Sequence, residues 1–158
     1  MIFAHLPSGY LLGRALKRRR GPVMWAALTG SIFPDFDLAW FYLVDHGAVF
    51  HHRYLTHIPL FWVWVAAIVL PMLVITKRPV LPAFAFLAAA MLHLVLDTLS
   101  GGILWLWPLS DRLIHLIHIP PADAHWIITF MRHPSFVAEI AIIAAATVLF
   151  FTPERRPT

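Results

Sequence analysis

His93 and Asp97 lie four residues apart within residues 83–99, a stretch that otherwise carries no ionisable side chain. On a helix that spacing stacks the two side chains on one face, one turn apart, a geometry that suits chelation of a divalent ion or relay of a proton. Ionisable groups at membrane depth are costly, which marks them as functional candidates. The chemistry they point to needs further ligands, and those must come from elements distant in sequence.

Composition sets the frame for those elements. Hydrophobic residues make up 60% of the 158 positions and charged residues 13%, and the mean hydropathy is +0.76. These values lie far from those of a soluble domain and describe an integral membrane protein. No linker or repeat divides the chain, so residues 1–158 are expected to form one domain. There is no cysteine, which excludes disulfides and thiolate ligands; any metal must sit on nitrogen and oxygen. His and Asp donors favour zinc, with manganese, iron or another divalent ion as alternatives. Positive charge follows the first apolar segment instead of preceding it, so that segment is not expected to be a cleaved signal.

The apolar runs alternate with charged or proline-rich breaks. Residues 2–16 form a short helix candidate that ends at Lys17-Arg18-Arg19-Arg20 and Gly21-Pro22. Residues 23–44 are interrupted at Pro34-Asp35-Phe36-Asp37, where a loop or helix break is expected. Residues 57–76 carry no charge after the first position and give the clearest expected transmembrane helix, ending at Lys77-Arg78. Residues 81–99 hold the opening pair. Trp105-Leu106-Trp107-Pro108 has the aromatic character of a lipid–water boundary. Residues 111–134, with His115, His118, His125 and His133, read as an interfacial helix and loop. The last helix, 136–151, is apolar apart from Glu139, which is expected to snorkel to the outer interface. The expected fold is all-α: a polytopic bundle of about four to five membrane-embedded helices with a metal site near one membrane face.

Alternating helices put the basic clusters at 14–20, 77–78 and 155–156 on one side, which the positive-inside tendency makes cytoplasmic. The candidate ligands fall on the other side. His5 begins the first helix, Asp35 and Asp37 end the second, and His51, His52 and His57 precede the third. At about 1.5 Å per residue, His5, Asp35 and His93 stand at similar heights, roughly 15–20 Å above the basic ends. Simpler roles exist for several of these groups. Asp35 or Asp37 could cap the helix that follows, Thr56 could be the N-cap of the next, and His51-His52-Arg53 could be a solvated loop.

The ordered set Gly30-Ser31-Ile32-Phe33-Pro34-Asp35-Phe36-Asp37, His52-Arg53-Tyr54-Leu55-Thr56-His57, His93-Leu94-Val95-Leu96-Asp97-Thr98-Leu99 and Trp107-Pro108 resembles the bacterial YdjM-like (YbcI-like) inner-membrane metal-dependent hydrolases. The resemblance covers most of the chain from His5 to Glu139. That family is thought to be distantly similar to zinc-dependent phospholipase C and the single-strand-specific zinc nucleases, all-helical proteins with His and Asp ligands and a His-x-x-x-Asp helix. The resemblance implies a metal-dependent hydrolase without naming its substrate. The chain departs from it at Leu38 and Ile58, where many relatives carry histidine and serine. His133 and Glu139 are six apart, not the four of a third phospholipase metal site, so one or two ions are expected.

The residues expected to supply ligands are His5, Asp35, His52, His57, His93 and Asp97. Asp37 is expected as a further ligand or as the base that orients water, and Arg53 as the clamp on a substrate phosphate, its planar fork matching phosphate oxygens. Divalent ions so held would lower the pKa of a bound water and polarise a phosphoryl or carbonyl oxygen. A position near the outer face of the bacterial inner membrane points to a lipid, lipid-linked or amphiphilic phosphoester. A metal or proton transporter using the same residues is the main alternative; against it, the lower halves of the third, fourth and last helices offer no polar steps toward the cytoplasm. A non-catalytic protein with a structural metal is the other, although six or seven candidate ligands exceed one closed four-coordinate site. Nucleic-acid binding through the basic run is not expected; the run reads as an anchor near anionic lipid.

Overall fold

The computed structural model describes residues 3–16, 20–99, 101–117 and 125–152, and among them it is helical without a strand. The helices are α1 (His5–Ala15), α2 (Pro22–Ile32), α3 (Asp37–Leu43), α4 (Pro59–Ile75), α5 (Val80–Asp97), α6 (Trp126–Arg132) and α7 (Phe136–Phe151). Short 3-10 turns at Pro34–Phe36, His51–Arg53 and Leu55–His57 complete the order. His118, Lys17–Arg19 and the Glu154-Arg155-Arg156 run of the sequence reading lie outside the described residues.

Proline sets many of the boundaries. Pro22 and Pro59 occupy first helical turns, where the missing N–H costs nothing, and Gly21 precedes α2 with a φ of 92° that suits glycine. Pro34 ends α2 and tightens the chain into the turn that carries Asp35. The helix read from the sequence as 57–76 begins instead at Pro59, because Thr56 and His57 belong to the 3-10 turn before it. That changes the membrane picture. Among the described residues only α5, at 18 residues, is long and apolar enough to cross a membrane, while α2, α4 and α7 are apolar but shorter.

Small residues let these helices approach closely. A Cβ on Gly9 of α1 would stand 2.3 Å from Ser31 Oγ and 2.7 Å from the Ala27 carbonyl oxygen of α2; one on Gly30 would stand 2.3 Å from the Phe86 carbonyl oxygen of α5. Val23, Ala27 and Ala85 fill the seam below, with Leu16 and Leu81 against them. This small-residue packing is the form helix association takes in lipid, where apolar burial gives little driving force. On the other side of α5, Trp62 of α4 packs with Leu87, Ala90 and Leu94 under Ile103.

Helices α1 and α7 run parallel, since the Phe3 amide donates to Glu139 Oε1 at one end (3.1 Å) and Arg14 Nη1 donates to the Leu149 carbonyl at the other (2.6 Å). Glu139 is therefore fully buried against the start of α1, not snorkelling to an interface as its sequence position suggested. One end of the bundle gathers the starts of α1, α4 and α7 with the ends of α2 and α5. The opposite end carries Arg14, Lys77 and Arg78.

Gly30→Ala should cost about 1–3 kcal/mol, because the added carbon meets backbone that cannot turn aside. A lowered thermal midpoint in detergent would show it. Val63→Ala, on the exposed face of α4, should change that midpoint little.

Candidate metal centre

Five segments deliver side chains to one point at the end of the bundle. α1 brings His5, the Pro34–Phe36 turn brings Asp35, the His51–Arg53 turn brings His52, the Leu55–His57 turn brings His57, and α5 brings His93 and Asp97. Asp35, His57, His93 and Asp97 each offer a ligand atom, all within 4.8 Å of one another. His57 Nε2 is 3.8 Å from Asp35 Oδ1 and 3.7 Å from Asp97 Oδ2; His93 Nε2 is 3.6 Å and 3.1 Å from the same two oxygens. A tetrahedral ion with bonds of about 2.0–2.1 Å would separate its ligand atoms by roughly 3.3–3.4 Å, which lies inside this range.

The hydrogen bonds behind the rings say which nitrogen faces the centre. His93 Nδ1 lies 2.8 Å from the Ser31 carbonyl oxygen, His52 Nδ1 2.9 Å from that of Gly102, and His57 Nδ1 2.6 Å from Asp37 Oδ2. These partners only accept, so each Nδ1 is assigned the proton and each Nε2 is left with a lone pair. The Nε2 atoms of His57 and His93 are buried with no hydrogen-bond partner. Their lone pairs therefore face carboxylate oxygens across a gap too wide or too bent for a hydrogen bond. Lone pair against lone pair repels, and either a proton on one ring or a metal ion between them removes the repulsion. The donor set and these orphaned nitrogens fit a divalent ion.

Two further histidines adjoin the same carboxylate. His5 Nε2 is 3.2 Å from Asp97 Oδ1, on the opposite oxygen, and its ring stacks on His93 at 3.7 Å. His52 Nε2 is 3.6 Å from Asp97 Oδ2, and its ring stacks on His57 at 4.7 Å. His51, read from the sequence as part of a loop, forms a second potential metal group with His52 and His57. Its signal was only that it adjoins His52, since nothing in its spacing distinguished it from solvated loop residues. Burial pushes the imidazolium pKa of His52 down to about 4 against the pull of Asp97, and burial with the neighbouring His52 and His57 pushes that of His51 down to about 4 as well.

The remaining candidates take other places. Asp37 stands behind His57, its Oδ2 accepting from His57 and from the Thr56 hydroxyl (2.6 Å), so it acts on the centre through that ring. Thr56 thereby holds Asp37 and does not cap α4, which has no side-chain cap. Arg53 is exposed beside His52. His125 caps α6 by accepting from the Ile127 amide, and His133 accepts from the Ser135 amide. Gly101 makes room for the His52 ring, since a Cβ there would lie 2.3 Å from His52 Cε1.

The family model for YdjM inner membrane protein matches residues 1–155. No curated protein and no solved structure matches the chain.

The lowered pKa of His52 fixes a pH dependence for the metal-free protein. Between 6.5 and about 4 the unfolded chain binds a proton at this position that the folded chain does not. Its contribution to stability is therefore complete above 6.5 and is lost as pH falls toward about 4. Thermal midpoints measured from pH 7 downward should fall on the acid side, and less steeply in His52→Asn; equal slopes would refute the assignment.

Proposed function

Since the chain belongs to the YdjM inner membrane protein family, we propose that it is a membrane-embedded, metal-dependent hydrolase of phosphoesters. The observation that carries this reading is the set of buried, outward-held Nε2 atoms facing two carboxylates. Asp35, His57, His93 and Asp97 would hold one divalent ion, with zinc the best match to the donors; His51 and His52 with His57 form a second possible group, and His5 adds a nitrogen at the other oxygen of Asp97. When bound, such ions supply an activated water and a Lewis acid for a phosphoryl oxygen.

The chain's own residues supply the rest. Asp37, the Ser31 carbonyl and the Gly102 carbonyl fix the tautomer and tilt of three ligand rings, so the donor set is preorganised. Asp35 is the only partly exposed member of the four, at 31%, and gives the centre its access. Arg53, exposed and cationic beside His52, would bind a phosphate oxygen and orient the scissile bond. The basic ends lie away from the centre, which supports an extracytoplasmic position for it under the positive-inside tendency.

Purified in detergent without chelators, the protein should carry stoichiometric metal and hydrolyse a phosphodiester. Asp97→Ala should lose both, and Asp37→Asn should bind metal about 10–100-fold more weakly, as expected when the partner of a ligand ring is removed. A parent protein without metal, or metal retained unchanged in Asp97→Ala, would sink the proposal.

Orientation has its own test, made clean by the absence of native cysteine. Ala48→Cys, in the exposed loop before the His51–Arg53 turn, should react with an impermeant thiol reagent from the extracytoplasmic face in intact inner-membrane vesicles of known sidedness. Reaction only from the cytoplasmic face would reverse the topology.

A further inference from the structure

We propose that the substrate is a phosphate-bearing membrane lipid, whose headgroup enters laterally between the α2–α3 turn and the bilayer, past Phe33, Phe36 and Trp40. This rests on the phosphoester reading of the site and names the class of molecule that reaches it.

Depth is the first observation. At about 1.5 Å per residue, His93 and Asp97 stand roughly 20 and 25 Å above the start of α5 at Val80. A hydrocarbon core is about 30 Å thick. With the basic end of the bundle at one interface, the centre falls short of the other and lies within the acyl region.

The second observation is what surrounds the opening. Asp35 alone among the four ligands is partly exposed, and its neighbours are apolar: Phe33 and Phe36 stand edge to face at 5.7 Å beside it, with Phe36 63% exposed. α3 continues this surface. None of its residues is buried, and Trp40, Tyr42 and Leu43 are all exposed. The exposed side chains along this face are mostly aromatic and aliphatic, which suits acyl chains better than a water-soluble phosphoester. A lipid would lay its chains on α3 and bring its phosphate to the cluster past Asp35, with Arg53 as the cation beside it.

The third observation is that α3 is fixed, not loosely attached. Asp37, its first residue, is bound to His57 and Thr56, and Tyr54 donates to Asp45 just beyond its end. The apolar helix and the ligand cluster therefore hold a constant relation. Arg53, in the turn that also carries His52, offers a cation for the anionic headgroup.

The test uses capture, so it does not depend on turnover. The full-length, metal-loaded protein carrying Phe36→p-benzoylphenylalanine is reconstituted in equimolar phosphatidylglycerol and digalactosyldiacylglycerol and irradiated; Ile68→p-benzoylphenylalanine, on the exposed face of α4, reports the bulk lipid. Adducts at position 36 should be enriched in the phosphate lipid about tenfold over those at position 68, the ratio one charge-assisted headgroup contact supplies. Asp35→Asn should remove most of that enrichment. No lipid adduct at position 36, or adducts there with the composition found at position 68, would overturn the proposal. Enrichment in a protein that hydrolyses neither lipid nor soluble phosphodiester would leave the docking surface standing and remove the hydrolase reading.

Discussion

The structure is organised around one buried anion. Asp97 is the last residue of α5, 2% exposed, at the helix end where the peptide dipoles disfavour negative charge. A carboxylate taken from water into such a place costs several kcal/mol unless compensated. His5 turns toward Oδ1, and His52, His57 and His93 toward Oδ2, and because the last three present Nε2 lone pairs the charge is left to a cation shared between rings and carboxylate. Where these rings come from dictates which segments must meet, and so much of the architecture at this end of the bundle.

Bringing them together requires helices that touch backbone to backbone. Gly9 and Gly30 allow it, and the same contact does a second job. With α2 pressed against α5, the Ser31 carbonyl at the end of α2 reaches His93 Nδ1 and sets that ring's orientation. Helix packing and ligand preorganisation are thus one feature of the α2–α5 seam. The loops complete the arrangement in a similar way: Gly101 yields space to the His52 ring while the next carbonyl, that of Gly102, holds its Nδ1.

Much of this was legible in the chain. The i, i+4 spacing of His93 and Asp97 needs only a helix to become a chelating face, and alternating apolar runs with basic ends placed His5, Asp35, His52 and His57 at that same end. The helices at 5–15, 80–97 and 136–151 follow the apolar runs closely, because proline, glycine and charge mark their limits. Roles that depend on angle and depth were not legible. Asp35 and Asp37 differ by two residues in a 3-10 turn, yet one faces the centre and the other its supporting ring. Glu139 looked like a helix-end residue free to reach the interface, and only the parallel docking of α7 on α1 buries it against the Phe3 amide. The span expected at 57–76 lost its first turn because Thr56 and His57 serve the site instead of the helix.

By itself the sequence determined the chemical class of the protein: apolar helices, no sulfur ligands, and a small stock of histidines and aspartates confined to one side of the charge pattern. Those properties are local, fixed by composition and by periodicities of a few residues. Tertiary structure alone decided which nitrogen of His52, His57 and His93 faces the cluster and that Asp97 is the shared partner. It also decided that the accessible edge of the cluster lies at Asp35, among exposed aromatic side chains. Each of these depends on distances of about 3 Å between segments tens of residues apart, and helix packing sets such distances where residue spacing cannot.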